Sequence, residues 1–349
     1  MDFTPQEVIE RSAASEYDAG QLAAFQEERM PVEIHVEDWQ SSYGSPYLVL
    51  PDDEGRDTTV LVEDGGELLL HGPAASAGEH RSLAFVDGVR RVDAALYQYE
   101  RSSGKISRGI AGSHAAGAVI ADGMTAPVFS HESVERLVIW GSGLVGDLPA
   151  GRGGWEWMCR SVADEAPEAP LNELQRRMRL DEARLSEDLF QDGHLVVLDG
   201  PLNFIRDFDH PIVGYIKTHH RALLAPEHHM KVAELKSGQR TSVFTLGIDR
   251  YSCYLRIASG SQIAGPWSGI VRLEVPQSAG LQATVDTINR ICAILPRYAG
   301  VPHADPRAPQ NLQPIGALER RLRHLMGDPS AAYRAVREAV MTIKNEVSA

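Results

Sequence analysis

The sequence predicts an α/β fold, and three observations carry that expectation. Three apolar runs, Leu83–Val86, Val92–Tyr99 and Ala115–Ile120, read as consecutive strands, with a Gly/Ser-rich turn before the third; that is the pattern of an antiparallel meander. Residues 173–190 then carry helical periodicity and give way at Gly193 to the apolar strand 194–198. Further strand patterns follow, and two helical segments close the chain.

Taken in order, residues 5–30 read as a helix. Thr4 caps it, Pro5 fits its first turn, and Val8, Ile9, Leu22, Ala23 and Phe25 form a broken apolar stripe. Residues 31–80 hold the short apolar runs 47–50, 59–62 and 68–70, divided by Asp, Gly and Pro, which predicts a small β-rich insertion. The first 81 residues are therefore set apart from a domain over 82–349. The stretch 141–170 is rich in Gly, Pro and Ala and reads as loop. In the helix over 173–190, Leu174, Met178, Leu185 and Leu189 make the apolar face, and Asn172 is its expected cap. Another strand and a basic, His-rich segment lie within 212–224. Three strands fall within 242–275, and helices are expected near 280–296 and 315–347.

Composition narrows the function. The formal net charge of −14 counts against a protein that coats nucleic acid through a basic surface. It leaves room for a site that is itself a cluster of acids neutralised by bound ions. Cys159, Cys253 and Cys292 are widely spaced and form no CxxC pair, so inert thiols in a reducing cytoplasm are expected rather than disulfides or zinc. The N-terminus has no signal-peptide pattern, and no apolar run approaches the roughly 18 residues of a membrane span. A soluble cytoplasmic protein is the expectation.

Two acids stand out because each follows a fully apolar strand and precedes glycine: Asp87-Gly88 and Asp199-Gly200. A strand-terminal Asp puts a carboxylate at the sheet edge, and Gly lets backbone and ligand approach closely. Glu182 lies four residues after Met178 and three before Leu185, on the buried side of its helix, where a carboxylate is costly unless it meets a cation. Asp181 and Glu187 fall nearer the solvated face. Carboxylates converging from separate elements hold Mg²⁺ or Mn²⁺ through oxygen, and such ions cleave phosphodiesters. Lys217, at the end of the next strand, would offset charge in the transition state.

These motifs, in order, resemble the NurA nuclease family: 85–89 around Asp87, 179–183 around Glu182, 198–202 around Asp199, 214–217 ending in Lys217, and 271–276. The resemblance runs from about Ser82 to Asp328. It implies an RNase H-like core, a mixed sheet flanked by helices. It also implies Mn²⁺-dependent cleavage of DNA, a homodimer, and pairing with a HerA-type hexameric ATPase translocase in DNA end processing and repair. By that resemblance Asp87 and Asp199 are metal aspartates, Glu182 the helix glutamate and Lys217 the family's lysine. Many members carry an Ala-His on the last helix that serves the site. Here residues 307–316 lack it, which leaves Gln310, Asn311 and His303 as the candidates for a further ligand. A catalytically inactive scaffold that regulates an ATPase is the alternative that this departure raises.

Other signals carry less. Gly141-Ser-Gly143-Leu-Val-Gly146 follows a strand, but Pro149, Gly151, Gly153 and Gly154 prevent the helix that a dinucleotide site needs. The His219-His220 and His228-His229 pairs lack metal-ligand spacing. Trp155 and Trp157 are expected to pack rather than stack on bases. There is no phosphate-binding GxxxxGK[ST] loop.

Overall fold

A computed structural model of the chain describes residues 32–36, 59–73, 82–100, 104–205, 210–217, 223–259, 267–300 and 310–348. The expected helix over 5–30, the run 47–50, His219, His220 and His303 lie outside the described residues. Strands β1 (Val32–Val36), β2 (Thr59–Leu61) and β3 (Leu70–His71) come first. They are followed by β4 (Leu83–Glu100), β5 (Lys105–Ala121), β6 (Val128–Trp140) and the short β7 (Met158–Ser161). Helix α1 (Ala169–Gln191) leads into β8 (Leu195–Asp199) and β9 (Val213–Ile216), then a short α2 (Pro226–Val232). Strands β10 (Arg240–Thr241), β11 (Phe244–Leu246), β12 (Arg250–Arg256) and β13 (Ile270–Pro276) precede α3 (Leu281–Ile294), α4 (Gln313–Leu325) and α5 (Pro329–Ser348).

All described strands join one mixed sheet, with the order β2-β11-β12-β13-β9-β8-β4-β5-β6-β7. The meander β4-β5-β6 is antiparallel, as its sequence predicts. On the other side of β4, β8 runs parallel to it and β9 parallel to β8. The strands of the N-terminal region are built into the same sheet: β1 pairs with the far half of β4, β2 with β11 and β3 with β10.

Besides the short β7, which falls within the stretch 141–170 read as loop, three features depart from the expectation. The runs 83–86 and 92–99 are one continuous strand, so Asp87-Gly88 sits inside β4 rather than at its end. The arginines that break the apolar pattern there are held by side-chain partners. Arg90 donates to Gln175 on α1, and Arg91 binds Asp93 at 2.6 Å and the Gly327 carbonyl at 2.8 Å. Helix α1 starts at Ala169 with Glu168 before it, so Asn172 is not its cap; Pro170 in the first turn needs no amide partner. The last expected helix is two. Gly327 adopts φ 80°, and the Asp328 carboxylate accepts the Ala331 amide at 2.7 Å, which starts α5 afresh.

The pleat sorts the core into two layers. Phe85, Val197 and Val213 face one layer with Ile291 of α3 and Leu318 and Leu322 of α4. Ala84, Val86, Val196 and Leu198 face the other, under Ala183, Leu185 and Leu189 of α1. Helix α5 lies over the far end of the meander, with Val336 and Val340 against Leu96 and Trp140. Among the described residues no helix is long and apolar enough to cross a membrane.

Candidate metal centre

The register of two parallel strands places the aspartates. Leu83 to Val86 of β4 pair with Leu195 to Leu198 of β8, so Asp87 and Asp199 are the next residues on neighbouring strands. The pleat turns both carboxylates toward the layer of α4. There β8 ends: Gly200 takes φ 115°, a conformation that glycine adopts freely, and the chain leaves the sheet. Helix α4 closes over the pair and brings Glu319. One oxygen from each of Asp87, Asp199 and Glu319 falls within 4.8 Å of the others, a spacing that one divalent cation spans.

Glu319 is absent from the sequence-derived candidates, although a signal for it exists. It lies four residues after Ile315 and three before Leu322, on the apolar side of α4. That is the same placement that singles out Glu182 on α1.

Glu182 adjoins the cluster from the opposite layer. It is fully buried, and a Cβ on Gly88 would lie 2.5 Å from its Oε1. Its Oε2 accepts Arg179 Nη1 at 2.7 Å, and the same guanidinium reaches the Asp199 carbonyl at 3.0 Å. Glu182 Oε1 makes no hydrogen bond of good geometry, the Gly88 amide giving it only weak support. A buried carboxylate oxygen without a partner is costly, and a cation removes that cost. Lys217 Nζ donates to Asp199 Oδ2 at 2.8 Å.

The acids charge one another. Burial pushes the Asp87 carboxyl well above the usual aspartate range, and the charges of Asp199 and Glu182 push further, with Lys217 opposing. Burial likewise raises Glu182, against the pull of Arg179. Burial lowers the Arg179 guanidinium, but the charges of Glu182, Asp87 and Asp199 outweigh it and hold Arg179 protonated. Carboxylates kept this close, with fewer cations than acids among them, fit a divalent metal.

The other candidates fall elsewhere. The Gln310 backbone carbonyl accepts the Tyr215 hydroxyl at 2.6 Å. Asn311 lines a separate cavity between β5, β6 and α4, with Phe129, Arg297 and Arg320. Asp181, expected near solvent, is turned inward to His114. The Gly141–Gly146 segment makes a turn and no helix. Trp157 is buried, and Trp155 packs in the same cluster under the Arg136 guanidinium. Cys253 and Cys292 are buried thiols outside any disulfide, Cys253 pushed up to about 12 by burial; the half-buried Cys159 thiol donates to the Gly146 carbonyl at 3.4 Å.

No protein-family model and no curated protein matches the chain. Among solved structures, the crystal structure of the NurA nuclease from Sulfolobus solfataricus is similar to it at 11% identity and a TM-score of 0.41, covering 74% of this chain and 86% of that one. A likeness of that size assigns no residue a role.

Proposed function

We propose that this chain is a divalent-metal-dependent nuclease that hydrolyses DNA phosphodiester bonds. The observation that carries the reading is the convergence of Asp87, Asp199 and Glu319 within 4.8 Å. The ordered motifs that resemble the NurA family support it. So does the arrangement of the sheet, a three-stranded antiparallel meander continued on the other side of its first strand by two strands parallel to it, β8 and then β9, which favours an RNase H-like core.

In this reading Asp87, Asp199 and Glu319 hold the metal, and Glu182, in the opposite layer, acts on them through its charge. An all-oxygen set favours Mn²⁺ or Mg²⁺ over softer ions. Cations bound there would polarise the phosphoryl oxygens and lower the pKa of the attacking water. The chain's own groups do the rest. Lys217 fixes the Asp199 carboxylate and places an ammonium where negative charge grows. Arg179 neutralises Glu182 and pins the end of β8, so that the aspartates keep their relative positions. Water adds to phosphorus, and the leaving sugar oxygen departs as an alcohol. We further assign the protein to DNA end processing and repair, as a cytoplasmic homodimer working with a HerA-type translocase. With an acidic chain, a partner that delivers DNA removes the need for a broad basic surface.

The test is cleavage of linear and circular DNA by the purified chain with Mn²⁺ or Mg²⁺, then with chelator. Asp199→Asn is expected to lower cutting more than about 100-fold, since changes one step removed from a metal already cost roughly 10–100-fold. Unchanged cutting by that variant, or cutting in chelator, would overturn the reading.

A further inference from the structure

A second group of metal-ligating side chains lies apart from the first, between β5, β6 and α1. His114 of β5 pairs across the sheet with Glu135 of β6, and Asp181 of α1 covers them. One His114 nitrogen and one oxygen from each carboxylate lie within 4.8 Å of one another. His114 is 1% exposed, and neither of its ring nitrogens makes a hydrogen bond of acceptable geometry.

The distances set His114 apart from an ordinary hydrogen-bonded histidine. His114 Nε2 stands 3.3 Å from Glu135 and Nδ1 3.5 Å from Asp181. A charge-assisted hydrogen bond closes to about 2.7–2.9 Å. Both contacts are wider than such a hydrogen bond, and they use different ring nitrogens, so a single cation would take one nitrogen with the two carboxylates closing around it. A buried imidazole with both nitrogens unsatisfied is costly, and metal coordination relieves that cost at the nitrogen that binds. The carboxylates are 39% and 24% exposed on their side chains, so an ion has a route from solvent to a nitrogen that has none. Arg184 approaches Asp181 only at 3.9 Å and is itself largely exposed, so it leaves the carboxylate open to a cation.

We propose that His114, Glu135 and Asp181 form a second site for a divalent transition metal, of the zinc class, distinct from the Asp87 centre. One nitrogen and two carboxylate oxygens suit Zn²⁺ better than Mg²⁺, which takes oxygen alone. Coordination there ties α1 to the meander on the face opposite α4. The site's role is to fix the helix that carries Glu182 and Arg179.

The experiment uses the full chain with Asp199→Asn, which disables the first centre, dialysed in zinc-buffered solution and analysed for bound metal. One equivalent of Zn²⁺ is expected to remain. Adding Glu135→Gln or Asp181→Asn, at partly exposed positions that tolerate the exchange, should weaken it at least 10-fold, and His114→Gln should abolish it. Zn²⁺ should also shift the His114 imidazole resonances. Zn²⁺ held equally well after all three changes, or no Zn²⁺ held by Asp199→Asn at all, would overturn the second site. Either result leaves the nuclease reading untouched.

Discussion

Helices α1 and α4 cover opposite faces of one sheet, and each presents a glutamate at the same point of its apolar stripe. Glu182 and Glu319 each lie four residues after one buried apolar residue and three before another. Each also has an arginine of its own helix: Arg179 at 2.7 Å from Glu182 and Arg323 at 3.0 Å from Glu319. The surroundings differ. Glu182 has no exposure at all and rests on Gly88, whereas the Glu319 side chain is one-third exposed and faces two aspartates. Helix periodicity thus finds the layer an acid enters. The strands beneath decide whether it meets other acids there.

The sharpest way to break the comparison is to remove the charge both glutamates surround. Asp87→Asn should abolish cutting along with Asp199→Asn, yet stabilise the metal-free protein. The folded state holds the Asp87 proton more tightly than the unfolded chain, because burial and then Asp199 and Glu182 raise its pKa. Metal-free stability is therefore fully present at and below the ordinary aspartate range and is lost as pH rises through the raised value. A divalent cation must displace that proton, so its affinity climbs with pH over the same window. Thermal melts with chelator and with Mn²⁺ across pH would show both slopes, and Asp87→Asn should flatten them. A metal-free protein that gains stability with pH in that window would contradict the electrostatic picture.

Next in size is the pair itself. Glu182→Gln and Glu319→Gln should each weaken Mn²⁺ binding by roughly 10–100-fold, measured by titration calorimetry. Their stabilities should diverge. Glu182→Gln removes a buried acid that burial already drives toward its neutral form and keeps an acceptor for the Arg179 guanidinium, so it should raise stability in chelator at neutral pH, as Asp87→Asn does. Glu319→Gln, at the rim, should leave it within about 0.5 kcal/mol. Equal melting temperatures would remove the distinction between the faces.

The same contrast explains what the sequence discloses. Asp87, Asp199 and Lys217 end or follow apolar runs, and their neighbours on β4, β8 and β9 are fixed by short-range pattern. Glu319 depends on how α4 crosses the sheet, a long-range fact that no local pattern holds, although its place on the apolar stripe marks it for inspection. The Arg90-Arg91 break in β4 misleads for a related reason: those charges find partners on α1 and at the end of α4, far away in sequence. Asp181 is read as solvated because nothing near it in sequence points to His114.

A smaller effect is expected where the two layers nearly touch. A Cβ on Gly88 would lie 2.5 Å from Glu182 Oε1, 2.8 Å from Met178 Cγ and 3.1 Å from the Ala115 carbonyl. Gly88→Ala must push α1 away or turn Glu182, which costs about 1–3 kcal/mol by overpacking. Denaturant melts of Gly88→Ala should show that loss, together with reduced Mn²⁺ affinity. A variant with native stability would mean that α1 lies further from the sheet.

The smallest effect separates the two arginines. Arg323 is 63% exposed on its side chain, and an exposed helical pair of this kind contributes about 0.3–0.5 kcal/mol. Arg323→Ala should therefore leave stability nearly unchanged. Removing a positive charge beside Glu319 also favours a cation, so Mn²⁺ should bind slightly more tightly. Arg179→Ala should do the opposite on both counts, because it strips the counter-charge from a buried glutamate and releases the end of β8 that carries Asp199. Calorimetric titration of the two variants side by side tests the sign. If both arginines proved equally dispensable, Glu182 would have the freedom of a surface residue, and the difference between the faces would lie in packing alone.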